Sequence, residues 1–242
     1  AAPLRAGAMS TAVDRTSAIF GYSTAISAVA AAVYILPIGR VGVLAYRLAL
    51  ATALAAFGYR CFALATKNYR GSMDMAFVTS VTTELATSNN FQYLQWCFIF
   101  MFSRPVFFAL VPVEICCVYQ ALFFFAKFYK DHALWQKFGA RAWEMADQYM
   151  VNALVLGATT EISMGIFTIV ELFTPARSFL RLFLVWSWLK RRYTCPDNTV
   201  FRIKYKAYST AFYHQQAWAQ LGERAAPIVS KVPPLEKALG YA

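Results

Sequence analysis

The chain is poor in the groups that do chemistry. It has 242 residues, and only 14% of them are charged. Acidic side chains number 12 and histidines 2. The histidines, His132 and His214, fall in different connectors, and a bis-histidine haem would require them to converge. Asp131 beside His132 resembles a catalytic fragment, but no nucleophile is placed next to it, and a solvated loop is the plainer reading. No glycine-rich phosphate loop and no zinc spacing occur. Five cysteines, Cys61, Cys97, Cys116, Cys117 and Cys195, share no repeated spacing and form no Cys-x-x-Cys pair, so neither a disulfide framework nor a thiolate metal site is indicated. Asn-x-Ser/Thr is missing too, which gives no sign of a glycosylated lumenal face. The expectation is a non-enzyme with no metal and no catalytic residues.

What is present is apolar. Hydrophobic residues make up 59% and aromatics 17%, and mean hydropathy is +0.44. A soluble domain sits near ~45–50% apolar and ~25% charged. The composition therefore excludes a disordered chain and points to an all-α, multi-pass helical membrane protein. Lys and Arg total 23 against 12 acids, net +11. On an apolar chain that surplus suits anionic lipid head groups better than nucleic acid.

A pass along the chain divides it into a tail over 1–15, a transmembrane domain over 16–173, interfacial amphipathic helices over 174–222 and an irregular tail over 223–242. Thr16–Gly39 is free of charge and long enough to cross a bilayer, which takes about 20 residues. Ser23, Ser27 and Ala31 give it a small-residue stripe, and Ala45, Ala49 and Ala53 give a second to the run Val41–Ala65. That second run holds Arg47 and Arg60; it reads either as a tilted crossing with Arg60 snorkelling or as a helix in the interface. Phe91–Ala126 is apolar except at Ser103-Arg104-Pro105, where proline breaks the helix ladder and predicts a hairpin of two helices. Met150–Phe173 is the next span. Phe179, Phe183 and Trp186 share a helical face ahead of Trp188 and the run Lys190-Arg191-Arg192. This predicts a helix near the membrane plane, with Trp186, Trp188, Lys190, Arg191 and Arg192 binding a phospholipid, cardiolipin in a mitochondrial membrane. Val200–Leu221 is read as a second amphipathic helix. The basic 127–141 connector and the basic 177–206 region fall on opposite sides unless one apolar segment is re-entrant. Arg47, Arg104, Glu114 and Glu161 are the intramembrane ionisable residues, and structural pairing is the favoured role for them.

The order of segments resembles the transmembrane protein 33 family. The residues that carry the likeness are Gln92-Tyr93-Leu94, Ile99-Phe100, Ser103-Arg104-Pro105-Val106 and Pro112-Val113 in the central hairpin. Tyr34-Ile35-Leu36-Pro37, Tyr46-Arg47-Leu48-Ala49-Leu50, Glu161, Arg192-Tyr193-Thr194-Cys195 and Val200-Phe201 also fit. Arg104, where the family tends to be aromatic, and Glu114 depart from its pattern. The resemblance implies a non-enzymatic membrane-shaping protein of the endoplasmic reticulum and nuclear pores, with reticulon partners.

A second compartment competes with that implication. The chain opens on Ala1, and Arg5, Ser10, Thr11, Arg15, Thr16 and Ser17 face one acid, Asp14, a composition like the remnant of an organellar presequence. On that ground the sequence reading leans to an accessory subunit of a large mitochondrial inner-membrane complex, partnered by other membrane subunits and anionic lipids. The endoplasmic reticulum or nuclear envelope is the alternative for its location, and a small transporter the alternative for its activity.

Overall fold

The computed structural model describes residues 15–36, 39–67, 74–175, 177–194, 200–203 and 206–229, with the backbone alone for 200–203, 206–210 and 228–229. Helices dominate it. They are α1 (Arg15–Ile35), α2 (Arg40–Lys67), α3 (Met75–Thr87), α4 (Asn89–Met101), α5 (Phe107–Phe128), α6 (Ala140–Glu171), α7 (Phe179–Thr194) and α8 (Thr210–Val229). A π-helical turn, Trp135–Gly139, leads into α6. Among the described residues, four helical segments are long and apolar enough to cross a membrane: α1, α2, α5 and the π turn with α6.

The small-residue stripes set the first contact. α1 and α2 run antiparallel, with Tyr34 against Tyr46 at 5.2 Å and Phe20 against Phe57 at 6.3 Å between ring centroids. Between these pairs Ser27, Ala45, Ala49 and Ala53 are buried, and the Ser27 hydroxyl lies 2.9 Å from the Ala49 carbonyl. Backbones approach that closely only where side chains are small. α2 is thus a crossing alongside α1, and Arg60 sits over the Phe20 ring at 4.2 Å. The turn between α1 and α2 includes Gly39 at φ 55°, a left-handed conformation that suits glycine.

Ser88 separates α3 from α4. Its hydroxyl accepts the Phe91 amide at 3.1 Å, capping α4 as the chain turns. α4 packs on α2, where Tyr93 stacks on Phe57 at 5.6 Å. The break predicted at 103–105 is present: α4 ends at Met101 and α5 begins at Phe107. Trp96 bridges it, its indole N–H donating to the Ala109 carbonyl at 2.7 Å. α5 then returns along α1 and lies against α6, and the Tyr119 hydroxyl donates to the Ala146 carbonyl at 2.7 Å.

Three expectations for the C-terminal third are corrected. The first concerns 179–192, which is not a helix lying perpendicular to the spans. α7 runs antiparallel along α6: Arg181 meets Glu171, Trp186 meets Gly165, and Arg192 meets Glu161. Those contacts advance by about 15 Å along each helix at 1.5 Å per residue. The cause is a second stripe, Val185, Trp188, Leu189 and Arg192, which is buried in the core, while Phe179, Leu180 and Phe183 stay exposed. α7 is therefore the segment that folds back, and it carries Lys190 and Arg191 toward the end of the bundle that holds the 127–141 connector. The second concerns 200–209, where the expected helix is replaced by a two-stranded hairpin, β1 (Val200–Ile203) and β2 (Lys206–Ser209), pairing Val200 with Ser209 and Ile203 with Lys206. Val, Phe, Ile and Tyr in that stretch suit strands. The third is that α8 continues to Val229, so 223–229 is helical; 230–242 and 1–14 lie outside the described residues.

Candidate functional site

The most concentrated chemistry is a polar cluster buried where α4, α6, α7 and α8 meet. Glu161, on the inner face of α6, is 1% exposed, Arg192 of α7 is 2% and His214 of α8 is 1%. One Arg192 nitrogen donates to Asn89 Oδ1 at 2.7 Å and Gln92 Oε1 at 3.1 Å. The other donates to the Tyr93 hydroxyl at 2.8 Å and Glu161 Oε1 at 3.2 Å. The guanidinium also lies over the rings of Tyr93 and Trp188, at 4.8 and 5.1 Å. Trp188 in turn donates to the Gln92 carbonyl at 2.8 Å and packs on Trp96 at 4.4 Å. Each group thus fixes a neighbour, and the α7 face is locked onto α4.

Electrostatics explains why an ion pair survives there. Burial works against the charge of Arg192, but the Glu161 carboxylate and the Tyr93 hydroxyl outweigh it and raise its pKa. His214 Nε2 bonds Glu161 Oε2. Its Nδ1 is buried without a hydrogen-bond partner among the described residues. The cluster thus joins one carboxylate, one guanidinium and one imidazole. The cavity it borders holds about 20 Å³, room for about one water.

Glu114 forms a separate, smaller site. Ser27 Oγ lies 2.8 Å from Glu114 Oε1 and 2.9 Å from the Ala49 carbonyl. Ser27 of α1 thus links Glu114 of α5 to the backbone of α2.

The remaining residues singled out from sequence are scattered. Arg47 is exposed on the outer face of α2, and Arg104 is exposed in the α4–α5 turn. Neither joins Glu114 or Glu161. Of the five residues expected to bind lipid, Trp188 and Arg192 are buried inside the protein, which removes them from any headgroup contact. Trp186 is half-buried, donating to the Gly165 carbonyl at 3.2 Å and packing on Trp218 at 6.2 Å. Lys190 is exposed and Arg191 partly so. The residues the sequence reading missed are His214, placed there in a connector, and the α4 partners Asn89, Gln92 and Tyr93. A polar Asn-Asn-x-Gln-Tyr run opening an apolar helix was the available signal.

Among the described residues no group of His, Cys, Asp and Glu is arranged to hold a metal ion. Comparison with curated proteins and with solved structures gave no match. A family profile does match, over residues 10–221, most of the chain. It is described as transmembrane protein 33/nucleoporin POM33, and it spans α1 through most of α8, including every member of the buried cluster. The chain is thus an integral membrane protein of the transmembrane protein 33/nucleoporin POM33 family.

Proposed function

We propose that the protein is a non-catalytic, membrane-organising component of the endoplasmic reticulum or nuclear envelope, acting with other membrane proteins as a scaffold. Family membership supports the compartment. The mitochondrial reading rests on the composition of the first 17 residues, and the family match weighs against it. The observation that carries the scaffold role is the use made of the buried charges. Glu161, Arg192 and His214 are spent on one another and on Asn89, Gln92 and Tyr93, around a cavity of about 20 Å³. A solute carrier would keep such groups facing a solute-sized, water-filled space; here they join four helices. α7 meanwhile turns Phe179, Leu180 and Phe183 outward, 69%, 68% and 68% exposed, an apolar surface suited to acyl chains or a neighbouring membrane protein.

The test is localisation of the full chain, tagged at its C-terminus, by imaging and membrane fractionation. Coincidence with reticular and nuclear-rim markers is the expected result. Co-fractionation with the mitochondrial inner membrane would overturn the compartment.

A further inference from the structure

A second cavity lies where two chain reversals meet. The α4–α5 turn supplies Ser103 and Arg104, and the α6–α7 turn brings Glu171, Ser178 and Arg181. Its volume is about 440 Å³, far larger than the space beside Glu161. Two features distinguish it. The first is charge. Glu171 is held by Arg181 at 2.5 Å, so that carboxylate is already neutralised. Arg104 is exposed and has no ion pair among the described residues. Two guanidiniums and one carboxylate leave the cavity with a positive balance. The second is its rim: Phe98, Phe102 and Leu180 border it and are 58%, 74% and 68% exposed. A soluble anion has no use for such a rim. A phosphate that carries acyl chains does.

We propose that this cavity binds the headgroup of an anionic phospholipid, with Arg104 as the principal cation, Arg181 beside it, and Phe98, Phe102 and Leu180 against the chains. Its position agrees with the depth required. α5 begins and α6 ends at these turns, and the ends of spanning helices lie at the headgroup level, where aromatic and basic side chains gather. Arginine suits the role because its planar fork meets two phosphate oxygens together. The site is separate from Lys190 and Arg191, and it holds whichever organelle contains the protein.

The experiment uses the purified full chain in neutral detergent, titrated with short-chain phosphatidylserine, with phosphatidylcholine of the same chains, and with inorganic phosphate, bound species being counted by native mass spectrometry. Wild type should prefer phosphatidylserine over phosphatidylcholine. Arg104→Gln should reduce that preference about five-fold, the effect of one basic residue at an anionic surface, and Arg104→Lys should keep part of it. Phe102→Ser should weaken both lipids. Arg104 and Phe102 are exposed, so both variants should fold, which unchanged circular dichroism checks. An unaltered preference in Arg104→Gln would overturn the proposal. Inorganic phosphate competing as well as phosphatidylserine would overturn it equally, in favour of a soluble anion.

Discussion

Removing either partner of the buried pair should destabilise the protein, but unequally. In Glu161→Gln the Arg192 guanidinium stays charged, because it cannot release its proton. It keeps neutral acceptors at Asn89, Gln92 and Tyr93 and loses its counter-ion. Breaking a buried pair this way costs about 3–5 kcal/mol, a large part of the ~5–15 kcal/mol that holds a typical domain. In Arg192→Met the stranded group is Glu161, which keeps the His214 Nε2 contact on its other oxygen, so this variant should cost less than Glu161→Gln. The assay is equilibrium unfolding of the full chain in detergent micelles, followed by tryptophan fluorescence. Trp188 and Trp96, 4.4 Å apart next to the cluster, report its opening. The double variant closes a mutant cycle, and its coupling should exceed about 1 kcal/mol. A cost below about 1 kcal/mol for Glu161→Gln, or a larger loss in Arg192→Met than in Glu161→Gln, would refute the reasoning.

Other substitutions probe the remaining contacts by the same unfolding assay. Glu114→Gln should cost under about 1 kcal/mol, because the amide oxygen can accept from the Ser27 hydroxyl as the carboxyl oxygen does; a loss as large as that of Glu161→Gln would refute that equivalence. Trp96→Phe should cost about 0.5–1.5 kcal/mol by removing the indole hydrogen bond to the Ala109 carbonyl at the α4–α5 turn. Gly21→Ala should cost about 1–3 kcal/mol, since the added Cβ would overlap the Phe124 ring where α1 meets α5; no measurable loss would show that the ring moves freely.

The sequence by itself determined the helical membrane architecture, because span length, charge-free runs and the proline break are local properties. The charge-free run Thr16–Gly39 calls for a spanning helix, which α1 supplies over Arg15–Ile35, and Ser103-Arg104-Pro105 calls for a break. The faces of α1 and α2 that meet were also legible, since Ser23, Ser27 and Ala31 against Ala45, Ala49 and Ala53 leave only one close approach. Tertiary structure decided everything that depends on which of two faces wins. α7 carries one stripe through Phe179 and Phe183 and another through Val185, Trp188 and Arg192, and hydrophobic periodicity fits both. The second is buried because Asn89, Gln92, Tyr93 and Glu161, from helices far away in sequence, supply the acceptors that let an arginine leave water. A charge reads as surface until its partners are known, so Arg192 looked like an anchor for lipid and His214 like part of a loop. The hairpin over 200–209 was hidden for a related reason, since its aromatic and basic residues satisfy helical and strand spacing alike.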